Sequence, residues 1–530
     1  MDFDVIVIGS GFGGAITGCR LAEAGYKVLI LERGRRWTYE AGKENSYPRL
    51  SSAPDKWMWS HAHPERDHGW IDLRVFPTMS VAQGAGVGGG SLIYANISVE
   101  APAYVFDNGW PPEITYAEIK PYYDKVRQFM KVRPLPANQF NGRTRLMQDG
   151  AQAIGQPERF RLVEMAVNFD DNLQLDIANP PPKPAGPFPK NDYGVPQGTC
   201  YHSGMCDSGC DVNARNTLDT NYIPRAEQTG NATVAELHLV TNIEPIEGGY
   251  RVQLDDLHGQ MRTPGSKTAR IVIVAASSLG STELLLQCRD VAGTLPALSS
   301  RLGYNWASNG DFLTPAYYDN RSIYPAVGPT IGSVIDFHDG SVEGQKFWIQ
   351  DGGFPDVLRK YLEDFAPGLS HVGQLIEALK HMVSQTPERH VMPWFAQGID
   401  AGDGILSLKR PWWFFGKRRL HLSYDVSRSP VFDTIVRMHE RLSRATGGVP
   451  LVPPTWTLGR YLITPHPLGG CNMATDPSRG VVDHRGEVFG YRNLYVADAA
   501  IIPRPVGVNP SRTIAALAER IARKIVEEKR

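Results

Sequence analysis

Residues 4–34 read DVIVIGSGFGGAITGCRLAEAGYKVLILERG, and this stretch decides the fold. Residues 5–8 are four apolar side chains in a row, as a strand buried on both faces requires. The turn Gly9-Ser10-Gly11-Phe12-Gly13-Gly14 follows at once. Gly9 permits a tight turn, Gly11 lets backbone approach a pyrophosphate, and Gly14 lets the next helix pack close to the strand. The helix N-terminus then offers free N–H groups to phosphate oxygens. A second apolar strand, 28–31, ends at Glu32, eighteen residues after Gly14. A carboxylate there accepts hydrogen bonds from an adenosine ribose and repels a 2′-phosphate. Strand, glycines, helix, strand and acid agree, so the N-terminus is predicted to be a dinucleotide-binding βαβ unit.

A second glycine run, AQGAGVGGGSLIYANISVE at 82–100, holds Gly84, Gly86, Gly88, Gly89 and Gly90, then Ser91 and Tyr94. Consecutive N–H groups in such turns form an anion cradle and admit a flat ligand. A second cradle beside the first suits FAD better than the smaller NAD. Near the C-terminus, 494–497 reads as a short strand ending at Asp498. Asn509 and Pro510 precede a helix from about residue 513, whose apolar face is Ile514, Leu517, Ala518, Ile521 and Ile525. Its positive end would favour negative charge on a reduced flavin.

The stretch TPHPLGGCNM, 464–473, places His466 between two prolines. Pro465 and Pro467 fix φ on either side and narrow the local conformations. An imidazole titrates near neutrality, which makes it the natural proton acceptor for an alcohol. His466 is therefore the candidate base, with Asn509 as the hydrogen-bonding partner at the same oxygen or at the flavin edge.

With 530 residues the chain exceeds one simple core, so two lobes are expected. A formal net charge of −1 gives no footprint for nucleic acid. No apolar run reaches eighteen residues, and 1–8 lead directly into a strand without a basic n-region; the expected compartment is the cytoplasm, unless a signal peptide has been trimmed away. Three of six cysteines, Cys200, Cys206 and Cys210, cluster in CYHSGMCDSGC beside His202. Their spacing fits no usual zinc pattern, so a glycine-rich loop with buried thiols is expected and no metal site is assigned.

Taken together, Gly9–Gly14 with Glu32, GVGGGSL at 86–92, GWP at 109–111, PYYDKV at 121–126, HPLGGC at 466–471 and NLYVADAAIIPRPVGVNPSRTIAALAER resemble the glucose-methanol-choline (GMC) family of FAD oxidoreductases. Within it the chain is most similar to the cholesterol oxidase branch. Tyr94 stands where many relatives carry Asn. The resemblance implies an α/β fold: a discontinuous Rossmann-like FAD domain from 1–100, 225–305 and 465–530, and an α+β substrate domain with a large antiparallel sheet from 101–224 and 306–464. It implies oxidation of an alcohol by hydride transfer to flavin N5, with His466 and Asn509 as the catalytic pair and O2 or another compound as electron acceptor. Residues 354–384 read as two amphipathic helices, fit either to roof the site or to pack as ordinary bundle helices. Residues 409–419, KRPWWFFGKRR, read either as a hairpin with buried aromatics or as a membrane-facing patch. No sugar-binding signature stands out, so a steroid or other bulky lipophilic alcohol is the expected substrate. A long-chain or terpenoid alcohol, and a non-redox lyase or photodecarboxylase of the same family, remain open alternatives.

Overall fold

The computed structural model describes every residue except 41, 49–53, 354–387, 411–417 and 529–530. Phe3–Ile8 lies inside a seven-stranded sheet ordered Ala232–Ala235, Val28–Leu31, Phe3–Ile8, Thr263–Val274, Gly249–Asp256, His238–Ile246, with Leu494–Val496 paired to the end of Thr263–Val274. Val5 to Ile8 run parallel to Val28 to Leu31, and both strands are buried through those positions. The twelve-residue strand Thr263–Val274 does two jobs. Its first half, TPGSKT, is largely exposed and pairs antiparallel with Gly249–Asp256. Its second half, ending IVIV, is buried and runs parallel to both Phe3–Ile8 and Leu494–Val496. The change from polar to continuously apolar residues marks where the strand enters the doubly covered core. Helices Phe12–Glu23 and Ser511–Glu528 pack together over this sheet.

A second sheet is antiparallel throughout: Val449–Pro450, Phe312–Tyr317, Val391–Gly398, Phe347–Asp351, Ser333–Asp336, Phe160–Leu162. Helices Gly142–Ala153 and Val431–Ala445 cover one face. The latter buries Val431, Phe432, Ile435, Met438 and Leu442, a stripe at helical spacing. Strand Phe347–Asp351 is buried along its whole length, because its other face is covered by the segments that carry the site. A third, three-stranded sheet joins distant parts of the chain: Leu462–Thr464 runs parallel to Met79–Gly84, pairing Thr464 with Val81. That pairing carries residue 466 to the second glycine run.

The expected α/β class with a large antiparallel sheet is observed. Two boundaries shift by two residues, since the first strand begins at Phe3 and the last helix at Ser511. The helix pair expected at 354–384 lies outside the described residues. Of 409–419, the ends belong to a hairpin of Ile405–Lys409 and Arg419–Ser423, and 411–417 lie outside the described residues. Among the described residues no helix is long and apolar enough to cross a membrane.

Candidate active site

A cavity of about 1420 Å³ runs from Glu32 to His466. Along it lie Gly9, Gly11, Phe12, Gly13, Glu32 and, from the second run, Gly89, Gly90 and Tyr94. Its far end adds His466, Asp498, Asn509 and Pro510. Gly14, Gly86, Gly88 and Ser91 stand behind the wall. Ser91 Oγ donates to Gly88 O at 2.8 Å and accepts from Leu218 N at 3.1 Å, which braces the turn.

The two glycine runs meet edge to edge. A Cβ on Gly89, whose φ is +52°, would stand 2.5 Å from Gly11 Cα. A Cβ on Gly13 would stand 2.1 Å from Ala497 O, so the first helix seats directly on the C-terminal strand. Ser10, absent from the sequence-based candidates, is the clasp. Its hydroxyl donates to Glu32 Oε2 at 2.7 Å and accepts from Gly88 N at 3.1 Å. Glu32 is buried and also accepts from Ser10 N and Gly34 N at 3.0 Å. Burial raises its pKa, against the pull of these donors. Asp498 accepts from Ser277 N and Ala500 N at 2.8 Å and from Ser281 Oγ; burial pushes it up to about 6. The Tyr94 hydroxyl donates to Asn216 O at 3.0 Å, and its ring meets Phe12 edge-on.

At the far end, His466 is fixed by more than its prolines. Its backbone N donates to Thr464 Oγ1 at 3.0 Å. Its Nδ1 lies 2.8 and 3.0 Å from the two oxygens of buried Asp311. A carboxylate only accepts, so this contact favours the imidazole proton on Nδ1, against the Gln397 amide nitrogen 2.9 Å from the same atom, and makes Nε2 the accepting nitrogen. The Asn509 amide nitrogen lies 3.4 Å from Nε2. Its orientation is set from behind, where Gln350 Nε2 donates to Asn509 Oδ1 at 2.7 Å. Trp348 Nε1 likewise donates to Gln397 Oε1 at 2.8 Å and turns the Gln397 amide nitrogen toward the imidazole. The turn before Asn509 is held by Asn309, whose Oδ1 accepts from Val506 N and Gly507 N and whose Nδ2 donates to Val508 O.

Asp311, Asn309, Gln350 and Gln397 were missed by sequence reasoning. The only local signal was the turn-forming SNGD at 308–311. Among the described residues no three His, Cys, Asp or Glu side chains converge as metal ligands. Burial holds the Cys200 thiol protonated and raises Cys206 to about 11, as expected of packed thiols.

Residues 458–518 match the GMC oxidoreductase family, and 7–46 match an NAD(P)-binding Rossmann-like domain. A cholesterol oxidase of Acinetobacter baumannii is 31% identical over 551 residues, covering 98% of this chain and 93% of that protein. The chain belongs to the GMC oxidoreductase family. A cholesterol oxidase of Mycobacterium tuberculosis is 29% identical, with coverage of 98% and 90%. A solved formate oxidase shares the fold at a TM-score of 0.66 and 15% identity, covering 99% of this chain and 98% of that one. This GMC enzyme is an FAD-dependent oxidoreductase acting on alcohols. The site fits that cofactor. No side chain caps the helix that starts at Phe12, so its first amides are free for a pyrophosphate, and glycines 11 and 89 keep the cradle clear of Cβ atoms.

Proposed function

We propose that this GMC enzyme oxidises a bulky lipophilic alcohol, of the steroid class, with His466 as the proton acceptor. The observation that carries the reading is the Asp311–His466 contact at 2.8 Å, with Asn509 at the opposite nitrogen. FAD, when bound, supplies the hydride acceptor. The chain must then hold one oxygen and take one proton. Asn509 Nδ2 donates to the alcohol oxygen, and His466 Nε2 receives the hydroxyl proton as the C–H bond breaks. Asp311 stabilises the imidazolium that results. Gln350 and Trp348 keep the amides of Asn509 and Gln397 turned to the site. The cavity walls include the apolar Ile93, Ile331, Pro393, Phe395 and Pro467. They suit a hydrocarbon skeleton, in keeping with relatives named cholesterol oxidase.

The test is an anaerobic alcohol panel on the yellow holoprotein, followed by admission of oxygen. Sterols are expected to bleach the flavin, and His466→Ala is expected to slow bleaching by about 10²–10⁴-fold with FAD retained. Bleaching by alkanols but not sterols would select the long-chain reading. Unchanged kinetics in the variant would remove His466 from the mechanism.

A further inference from the structure

The cysteine loop brings one more charged group to the substrate end of the cavity. Asp207 lies in the short turn Cys206–Ser208 and lines the cavity together with Thr330. Among the described residues its Oδ1 is buried without a hydrogen-bond partner, as is Thr330 Oγ1, and the Thr330 side chain stands close enough to pull the carboxyl pKa down. Burial pushes the Asp207 carboxyl up to about 6, against the pull of Arg215, the Thr330 side chain and Arg143.

The turn is held in place. Gly328 N donates to His202 O at 3.1 Å, and the Thr330 N–H meets the Cys206 thiol. The segment 327–330 is locked in turn by buried Arg143, whose guanidinium donates to the carbonyls of Val327, Pro329 and Thr330. A rigidly held carboxylate with an unused oxygen in an apolar chamber costs free energy unless something donates to it. Nothing in the reaction at His466 and Asn509 uses it.

We propose that Asp207, seconded by Thr330, receives a hydrogen bond from a second hydroxyl of the substrate, so that the enzyme is built for lipophilic diols rather than simple alcohols. The cysteine-rich loop is then the specificity element, and its packed thiols serve to hold one carboxylate in place. This inference rests on the alcohol-oxidising reading of the same cavity.

Matched pairs test it on the holoenzyme: dodecanol against dodecanediol, and cholestanol against a dihydroxycholestane. The ratio of kcat/KM for diol over mono-ol is expected to be roughly 10- to 100-fold in the native enzyme and near one in Asp207→Asn, with a partial fall in Thr330→Val. Released flavin per chain checks that each variant is folded. A native ratio near one, or the same ratio in Asp207→Asn, overturns the proposal, as does an equal fall of kcat on both partners of a pair. Tertiary mono-ols and diols, which cannot be oxidised, separate this from the parent reading. Tighter binding of the diol, read as a shift of the flavin absorbance and lost in Asp207→Asn, upholds the contact even if no alcohol is turned over. Equal binding of both overturns it.

Discussion

At the scale of single residues, the arrangement around His466 divides labour between two ring nitrogens. Asp311 holds Nδ1 and Asn509 meets Nε2, so the acceptor lone pair points where an alcohol oxygen would lie. Asp311→Asn keeps the shape and removes the charge. Its amide can present a donor to Nδ1, which favours the wrong tautomer. The expected outcome is a loss of roughly 10²–10⁴-fold in the rate of flavin reduction with FAD still bound, measured by anaerobic stopped flow. A variant that reduces its flavin at the native rate would reject the orienting role. His466 was legible in the sequence because prolines and glycines frame it. Asp311 was not, because nothing near SNGD says which histidine, 155 positions away, it will meet. Gln350 and Gln397 were hidden for a related reason. In strands buried on both faces, a glutamine that meets Asn509 or His466 has no local pattern that sets it apart from one satisfied in the core.

At the scale of elements, the two glycine runs were legible as cradles, but their mutual contact was not. Sequence gives each turn its conformational needs; the Ser10 clasp and the approach of Gly89 to Gly11 bring the turns together. The contact makes Gly89 a sharp test. An added methyl would collide with Gly11 backbone, 2.5 Å away at Cα, and both partners are main chain, so neither can rotate aside. The positive φ of Gly89 adds strain for any L side chain. Gly89→Ala is therefore expected to fold with the cradle spread and to purify with much less FAD than the native chain, measured as flavin released on denaturation. Gly459→Ala, away from the cavity, is the matched control, because a Cβ there meets nothing within 4 Å. Equal flavin content in both variants would show that the contact between the runs does not govern binding.

At the scale of the whole molecule, the last helix joins distant parts of the chain. Ser511–Glu528 packs on Phe12–Glu23 and on Tyr116–Phe129. Two buried charges fasten it. Arg512, fully enclosed, binds Glu164 at 2.6 Å and Glu100 at 3.1 Å. Glu519, also fully enclosed, binds Arg20 at 2.7 Å and accepts from the Tyr222 hydroxyl at 2.9 Å. The apolar period of this helix was legible in the sequence, but these ionic anchors were not, since their partners lie hundreds of positions upstream. Arg20 keeps only 13% of its side chain exposed; removing Glu519 takes away its fully enclosed partner, leaving Glu23 at 2.7 Å, and strips the buried Tyr222 hydroxyl of its acceptor. Glu519→Leu is thus expected to cost about 3–5 kcal/mol of stability, against at most about 1 kcal/mol for Lys125→Ala, which removes the half-exposed outer partner of the same carboxylate. Chemical denaturation of both variants, at low and high salt, measures the difference. The loss in Glu519→Leu should hardly respond to salt, because a buried pair is little screened. A cost no larger than that of Lys125→Ala would mean that apolar packing alone holds the helix.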